Sequence, residues 1–302
     1  MRVLVTGGTG FLGARLVPLL RERGHRVVLL VREGGDPGRI PACDEVVEGD
    51  PLRWGPWWKA AAGCDAAVNL AGEPIYGKWT NERKLLIRES RVAITRHLVD
   101  AIPRGEPFTL VSASAVGVYG DAGERLLDET APLGDDFLAR VARDWEAEAG
   151  RARDRGARVA IARLGVLLGP GGGVLAQLEK MARRFSGGIV GSGRQWVSWI
   201  HREDAARALV FLLEGARLEG VFNVASPNPV RQAEMARTLA RITGRPAPAR
   251  TPAFAVRLAL GEVASVVLAS QRMVPKRLLE AGFTFLFPDL EGALKDIFGG
   301  SR

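Results

Sequence analysis

Short apolar runs alternate with amphipathic stretches through the first half of the chain. Residues 2–5, 26–31, 66–70, 109–112 and 158–164 have the length and apolar character of buried strands, whereas residues 11–23, 80–102 and 134–155 show helical spacing of apolar positions. Strands that alternate with helices form β–α–β units, which give a parallel sheet with helices on both faces. The pattern therefore predicts an α/β fold built on a doubly wound parallel sheet.

The pattern changes after about residue 168. The glycine-rich segment 169–173 interrupts regular structure. Beyond it we predict helices at residues 175–185, 203–214 and 233–243, and a short strand at residues 221–224. We therefore expect a sheet domain over residues 1–168, to which residues 221–226 return, and a smaller mixed α/β domain over residues 169–302.

The sequence TGGTGFLG at residues 6–13 directly follows the first predicted strand. In such a unit Gly7 permits a sharp turn, Gly10 lets the backbone approach a pyrophosphate, and Gly13 lets the helix pack on its strand. The helix that follows aims its free N–H groups at the phosphates. The alternative is a plain tight turn. We predict an NAD(P)-binding Rossmann sheet whose cofactor contacts here are Gly7, Thr9, Gly10, Phe11, Leu12 and Gly13.

Two further segments follow predicted strands. They are NLAG at residues 69–72 and SASAVGVYG at residues 112–120. Because ligands of such sheets lie at the carboxyl ends of the strands, both segments should face the cofactor. The predicted contacts are Leu70, Ala71, Gly72 and Ser112.

Composition and charge limit the classes of partner. The 302 residues carry a net charge of +8, but basic and acidic residues are interleaved, so we expect a small-molecule substrate and no nucleic acid. Cys43 and Cys64 form neither a disulfide pattern nor a metal spacing, which fits a reducing cytoplasm and no metal site. Arg257 and Glu262 interrupt the longest apolar stretch, so we expect buried helices there, no membrane span and no signal peptide.

These motifs together resemble the extended branch of the short-chain dehydrogenase/reductase superfamily. WIHREDAARAL at residues 199–209 and FNVASPNPV at residues 222–230 also match its pattern. GSGRQWVSWIH at residues 191–201 and QRMVPKRLLEAGFTF at residues 271–285 are similar to an atypical subgroup, the epimerase family of NADP-dependent oxidoreductases with a C-terminal domain of unknown function. The resemblance implies an NAD(P)-binding fold with a smaller substrate domain.

The residue after the second strand distinguishes the two forms of the cofactor. NAD sites of this kind carry an acid there that binds the ribose hydroxyls, whereas this chain has Arg32. A guanidinium pairs with a 2′-phosphate, so we predict NADP(H); the alternative is a solvated surface arginine. Arg91 in the next long helix either faces the cofactor too or is a surface charge.

The proton donor that the resemblance implies is missing. Superfamily enzymes use Ser, Tyr and Lys, with the Tyr and Lys in a YxxxK pair that lowers the tyrosine pKa. Neither Tyr76 nor Tyr119 has a lysine four residues later. In the helix where the pair belongs, Phe137 or Leu138 takes the tyrosine position.

A few side chains are candidates to replace the missing pair. Ser114 fits the place of the superfamily serine and would hydrogen-bond a substrate carbonyl. Lys84 and Glu73 are candidate acids or bases, with a surface lysine and a loop cap as the alternatives. Tyr119 is a weaker candidate.

A substrate pocket is predicted beside GSGRQWVSWIH. Arg194 would contribute a charge, Trp196 and Trp199 flat apolar faces, and His201 a donor or acceptor, as small-molecule sites require. Trp79 would stack on the substrate or the nicotinamide. The alternatives are that the tryptophans belong to the core and that His201 caps the helix that follows it.

Two functions follow from these expectations. The first is an NADP(H)-dependent oxidoreductase or epimerase-like enzyme that acts on a small polar molecule, with hydride transfer favoured over epimerisation or dehydration. The second is a non-catalytic NADPH-binding protein that reports redox state to a partner. By analogy with superfamily relatives, a homodimer would form through the helices that flank the YxxxK position.

Overall fold

The computed structural model of this protein describes residues 1–173, 175, 187–245 and 249–299. The strands are β1 (Arg2–Thr6), β2 (Arg26–Val31), β3 (Glu45–Glu48), β4 (Ala66–Asn69), β5 (Thr109–Ala115), β6 (Leu126–Leu127), β7 (Arg158–Leu164), β8 (Val166–Leu168), β9 (Gly187–Val190), β10 (Trp196–Val197), β11 (Trp199–His201), β12 (Gly220–Val224), β13 (Val230–Arg231), β14 (Ala249–Thr251) and β15 (Arg272–Met273). The helices are α1 (Gly13–Glu22), α2 (Trp57–Ala62), α3 (Asn81–Ala101), α4 (Phe137–Gly150), α5 (Arg202–Glu214), α6 (Gln232–Ile242), α7 (Ala253–Leu260), α8 (Ala264–Leu268), α9 (Lys276–Glu280) and α10 (Leu290–Gly299). Except for residue 175, the helix predicted at residues 175–185 lies outside the described residues.

Within the described part of the chain, seven strands form one parallel sheet in the order β12-β7-β5-β4-β1-β2-β3. Val5 of β1 pairs with Leu29 of β2 on one side and with Val68 of β4 on the other. The chain moves outward to β3 and then returns to β4, so the carboxyl ends of β1 and β4 form the switch point at which ligands of such sheets bind. The predicted doubly wound parallel sheet is confirmed.

The sheet is buried on both faces. Val3 and Val5 of β1 join the apolar core beneath α1 and α5, whereas Leu4 joins the core beneath α2 and α3. Nearly continuous apolar strands are what a sheet covered on both sides requires. On the first face an ion pair between Arg15 and Glu203, with N–O distances of 2.5 and 2.9 Å, links α1 to α5.

Polar side chains fix where the two long helices of the other face begin. Thr80 accepts a hydrogen bond from the N–H of Arg83 before α3, and Asp136 accepts one from the N–H of Ala139 before α4. The predicted helix 134–155 therefore begins at Phe137, and its last residues form a 3₁₀ turn over Arg151–Arg155.

The chain after residue 168 also contributes to the sheet layer. Strand β12 lies at the edge of the sheet and pairs with β7, and α5 packs against α1. Outside the sheet, short strands of two to four residues pair as β6 with β15, β8 with β11, β9 with β14 and β10 with β13. The expected substrate region is thus interleaved with the sheet rather than simply appended to it.

Arg277 of α9 closes the outer edge of the sheet. Its guanidinium donates to the carbonyls of Val221 and Glu219, over 2.6 and 2.9 Å, and lies 4.2 Å from the ring centroid of Phe222. An exposed edge strand offers free backbone groups to other chains, so this arginine satisfies carbonyls that would otherwise remain open.

The longest apolar stretch does not form the buried helices that we expected. It folds into α7, a 3₁₀ turn and α8, with Val256, Val263 and Ala264 facing inward. Phe254 and Leu258 face outward and are 72% and 88% exposed. Among the described residues, no helix combines the length and the apolar character that crossing a membrane needs.

Candidate functional site

The glycine loop between β1 and α1 has a backbone that other residues could not adopt. Gly7 has a φ of +69°, and a Cβ there would lie 2.6 Å from the carbonyl oxygen of Leu70. A Cβ on Gly13 would lie 2.4 Å from the Cα of Gly8, whereas one on Gly10 would meet the Gly7 carbonyl at 3.1 Å. Gly7 and Gly13 therefore serve the turn and the close packing, and Gly10 leaves space beside the start of α1 for a phosphate-bearing ligand.

The other side chains of the loop pack rather than project. Leu12 is buried in the core under the sheet. The ring of Phe11 lies against Gly172 and Gly173, where an added Cβ would approach it within 2.7 and 2.9 Å, and Arg202 lies 4.9 Å from the ring centroid. Phe11 thus joins the glycine loop to the segment after β8, and Thr9 of the loop is half-buried.

The buried side-chain amide of Asn69 connects neighbouring elements at the switch point. Asn69, at the end of β4, accepts a hydrogen bond from Thr6 and donates one to Thr95, over 2.6 and 2.7 Å. Its side chain also lies 3.5 Å from the Ser112 hydroxyl. Ser112 is fully buried beside Asn69, and its predicted contact with the cofactor stays a prediction.

The loop after β4 is held by α3. Leu70 donates its N–H to the Thr6 carbonyl over 3.1 Å, and Ala71 is buried. A Cβ on Gly72 would lie 3.1 Å from the guanidinium carbon of Arg91, so this guanidinium lies close against the loop. Arg91 donates to the carbonyl of Glu73 over 3.0 Å.

Arg91 connects α3 to the loop after β4. Besides Glu73 it donates to the Ile87 carbonyl over 3.0 Å, and it lies 5.6 Å from the ring centroid of Trp145. Burial lowers the pKa of Arg91 to about 10. The sequence left open whether this arginine faces the cofactor or the surface; the structure places it under the loop after β4.

Arg32 and Glu73 meet across the carboxyl ends of β2 and β4. Nη1 of Arg32 lies 3.1 Å from one carboxylate oxygen of Glu73, and Nη1 of Arg83 lies 3.8 Å from the other. The Arg32 side chain is 76% exposed and that of Glu73 is 22% exposed. Glu73, expected as an acid or base, is therefore the partner of two guanidinium groups.

Ser114 belongs to a buried polar cluster at the end of β5. Its hydroxyl donates to Glu146 of α4 over 2.6 Å, and Arg163 of β7 donates to both oxygens of the same carboxylate over 2.8 and 2.7 Å. Ser114 has a single proton to donate, and Glu146 receives it. The expected hydrogen bond from Ser114 to a substrate carbonyl stays a prediction; Ser114 is 2% exposed, and its proton is engaged with Glu146.

Tyr119 extends the cluster. Its hydroxyl accepts from Arg163 over 2.9 Å and lies 2.7 Å from the side-chain oxygen of Asn223. Burial raises the pKa of Tyr119, and the neighbouring arginine opposes that shift. The sequence singled out neither Glu146 nor Asn223, although Glu146 follows the apolar positions of α4 that face the sheet.

Apolar packing occupies the place where the superfamily tyrosine is expected. Trp79 is buried, contacts the edge of Phe137 at a centroid distance of 5.1 Å, and donates its indole N–H to the Ile75 carbonyl. Lys84 lies 2.5 Å from Glu262 and 5.6 Å from the Phe137 ring centroid. Trp79 is therefore a core residue rather than a stacking surface, and Lys84 is held in an ion pair.

Two of the predicted substrate contacts lie in the core. Trp199 is 0% exposed, and its indole N–H donates to the Asn228 carbonyl over 3.0 Å. His201 caps α5 through Nδ1, which accepts from the N–H of Glu203, and its ring packs 4.1 Å from that of Phe287. Burial lowers the pKa of His201. Trp199 and His201 therefore fit the alternatives that the sequence left open, a core residue and a helix cap.

Trp196 sits in a charged surface cluster. The guanidinium carbons of Arg231 and Arg272 lie 3.9 and 4.5 Å from its ring centroid, and its indole N–H donates to Glu124 over 2.9 Å. Hydrogen bonds from Arg231 and Trp196 lower the pKa of Glu124 to about 2. Arg194 is exposed beside this cluster and accepts a hydrogen bond from Arg231 through its carbonyl.

The sheet order, the glycine loop and the loop after β4 define a dinucleotide-type α/β fold. Residues 3–225 match the NAD dependent epimerase/dehydratase family, and residues 251–297 match a domain of unknown function, DUF1731. The chain therefore belongs to the NAD-dependent epimerase/dehydratase family. The resemblance drawn from the sequence motifs is confirmed.

Its relatives within the family share nearly the whole chain. An epimerase family protein SDR39U1 homolog of Arabidopsis thaliana, described as chloroplastic, is 41% identical over 98% of this chain and 86% of the relative. Epimerase family protein YfhF of Bacillus subtilis is 36% identical over 100% of this chain and 99% of the relative. The crystal structure of human epimerase family protein SDR39U1 (isoform 2) with NADPH is 35% identical, covers 99% of both chains and superposes with a TM-score of 0.84.

Proposed function

We propose that this protein binds NADP(H) and is an oxidoreductase that acts on a small polar substrate. The observation that carries the cofactor choice is Arg32, whose guanidinium follows β2 where NAD-binding sites carry an acid. An acid there would repel a 2′-phosphate, whereas an exposed guanidinium can pair with it through two hydrogen bonds. The NADPH in the structure of the human relative supports this choice.

The residues at the switch point fit such a cofactor. The open space at Gly10 and the N-terminus of α1 would hold the pyrophosphate, and Arg32 would hold the 2′-phosphate. Ala71 and Gly72, at the end of β4, would line the same edge. When bound, the nicotinamide ring supplies a hydride donor or acceptor.

The Ser114 pairing favours an alcohol as the reduced substrate. Because the Ser114 hydroxyl donates to Glu146, its lone pairs can accept a hydrogen bond from an alcohol, but it cannot at the same time donate to a carbonyl. That hydrogen bond would orient the alcohol so that its carbon-bound hydrogen faces the cofactor site. The two hydrogen bonds from Arg163 stabilise the carboxylate form of Glu146, which therefore keeps accepting from Ser114 rather than taking its proton.

A second candidate function is NADPH binding without catalysis. It is favoured by the engagement of Ser114 with Glu146 and of Lys84 with Glu262, and by the packing of Trp79 on Phe137. In this alternative the protein reports the cofactor's redox state to a partner.

Cofactor titration tests the first part of the proposal. We expect calorimetry to give a dissociation constant for NADPH at least about tenfold below that for NADH, a preference that Arg32→Ala should remove. Arg53→Ala is the matched control, because it removes another exposed arginine of the same sheet edge. Equal weakening of NADPH and NADH by Arg32→Ala would contradict the role of Arg32, and no binding of either would exclude both candidates.

Turnover separates the two candidates. A panel of alcohols with NADP⁺ and of carbonyl compounds with NADPH would be followed through the absorbance of the reduced nicotinamide. An oxidoreductase should turn over at least one of them, and both Ser114→Ala and Glu146→Gln should lower kcat. Tight NADPH binding with no turnover of any member would favour the non-catalytic candidate.

A further inference from the structure

Glu73 is held between two arginines that approach different oxygens of its carboxylate. Arg32 lies 3.1 Å from Oε1, and Arg83 lies 3.8 Å from Oε2. Arg83 also donates a hydrogen bond to the Pro74 carbonyl, which keeps it beside the loop. The carboxylate therefore has a second cation within reach if the first one leaves.

The backbone of Glu73 is fixed at both of its polar groups. Its N–H donates to the Ser90 hydroxyl over 3.0 Å, and its carbonyl accepts from Arg91 over 3.0 Å. Ser90 and Arg91 both belong to α3, so this helix sets where the Glu73 carboxylate stands. By contrast, the Arg32 side chain is 76% exposed and free to change its rotamer.

A carboxylate at this position opposes binding of a phosphate at Arg32. Like charges repel, and the carboxylate also occupies hydrogen-bond donors that a phosphate would use. The opposition is relieved if Arg32 turns to the phosphate while Glu73 pairs with Arg83. Arg32 would thus exchange one anion for another, and no buried charge would be left without a partner.

We propose that Glu73 is a specificity-determining residue that competes with the cofactor 2′-phosphate for Arg32, and that Arg83 takes over the carboxylate when the phosphate binds. This inference rests on the proposed binding of NADP(H) through Arg32. It assigns Glu73 to cofactor selection rather than to proton transfer.

The first test is Glu73→Gln, which keeps the shape of the side chain and removes its charge. We expect the dissociation constant for NADPH to fall about fivefold and that for NADH to stay within about twofold. Adenosine 2′,5′-bisphosphate carries the 2′-phosphate and should gain affinity as NADPH does. Adenosine 5′-monophosphate lacks it and should not. Neither probe carries the nicotinamide, so the comparison isolates the 2′-phosphate. Glu291→Gln is the control, because it removes one exposed, ion-paired carboxylate on α10, away from the sheet edge.

The second test removes the alternative partner. Arg83→Gln should weaken NADPH binding about fivefold, because Glu73 then has no other cation to accept it and retains Arg32. The double variant Glu73→Gln/Arg83→Gln should recover at least the affinity of the unchanged protein. Circular dichroism would verify that each variant keeps its fold.

The outcomes separate this inference from the function on which it rests. If the unchanged protein binds NADPH no better than NADH, the proposed cofactor choice fails and the inference falls with it. If NADPH is preferred through Arg32 but Glu73→Gln leaves the preference unchanged, only the inference is wrong. Weaker binding of both cofactors in Glu73→Gln would overturn it as well, because Glu73 would then contact a part that they share.

Discussion

Glu146 of α4 and Arg163 of β7 form an ion pair with two hydrogen bonds whose side chains are 10% and 5% exposed, at the end of the strand that carries Ser114. Removing one partner of a buried pair leaves the other charge without compensation, which typically costs about 3–5 kcal/mol. We therefore expect Arg163→Met to lower the free energy of unfolding in urea by about that amount. Arg241→Met, which breaks an exposed pair with Glu291, should change it by less than about 1 kcal/mol. Equal effects of the two variants would show that the cluster is not a stabilising unit.

The glycine loop gives a second prediction, because two of its glycines differ in what a methyl group would meet. Gly13→Ala places a Cβ within 2.4 Å of the Gly8 Cα, so we expect a loss of about 2–3 kcal/mol in stability. Gly10→Ala brings its Cβ to 3.1 Å from the Gly7 carbonyl oxygen, which is tight but less severe, so we expect a smaller loss of about 1 kcal/mol. It should nevertheless weaken NADPH binding at least about tenfold, since its methyl group fills the approach to the pyrophosphate. Full NADPH affinity in a folded Gly10→Ala variant would contradict this assignment.

Asp204 anchors the segment between α9 and α10. Its carboxylate is fully buried and accepts hydrogen bonds from the N–H groups of Leu286 and Phe287, each over 2.8 Å. Asp204→Asn leaves one oxygen for two donors, so we expect a loss of about 2–3 kcal/mol and faster hydrogen exchange at those two amides. Asp289→Asn, at an exposed carboxylate that binds Asn228, is the control and should cost about 0.5 kcal/mol. Unchanged exchange at the two amides would disprove the anchoring role.

His201 predicts a dependence of stability on pH. Burial lowers its pKa in the folded protein, so the unfolded chain binds the proton more readily. The stability that His201 contributes is present above its unfolded pKa of about 6.5 and is lost as the pH falls toward its folded value. His201→Asn keeps a cap for α5 without a titrating ring. Between about pH 7 and pH 5 its free energy of unfolding should fall less steeply than that of the unchanged protein, and parallel curves would rule out His201 as the source.

The sequence contains enough information to predict the sheet and the cofactor loop. The strand over residues 26–31 and the helix that begins after Thr80 follow from local patterns of apolar residues and a capping side chain. The glycine spacing predicts the loop because φ and steric contact at Gly7 and Gly13 are local properties. The fold class rests on such local properties and is confirmed, whereas the individual contacts of the site remain predictions.

The cluster around Ser114 could not be predicted in the same way. Its partners Glu146 and Arg163 lie 17 residues apart, on α4 and β7, and their contact depends on how α4 is rotated on the sheet.

The different surroundings of the two tryptophans after residue 195 could have been predicted from their spacing. Trp199 lies three positions after Trp196, and in extended backbone an odd difference in position puts side chains on opposite faces. One of them is accordingly in a surface cluster and the other in the core.

The contact of Arg277 with the edge strand has a consequence for synthesis of the chain on the ribosome. Strand β12 is the last strand of the sheet along the chain, and the carbonyls of Val221 in this strand and of Glu219 just before it are satisfied by a residue more than fifty positions later. A nascent chain that already contains every strand of the sheet still lacks the residue that covers its outer edge. We therefore expect a gene fragment that stops near residue 230 to yield an aggregation-prone product, so that the sheet and the segment that contains Arg277 must be synthesised together to give a soluble protein.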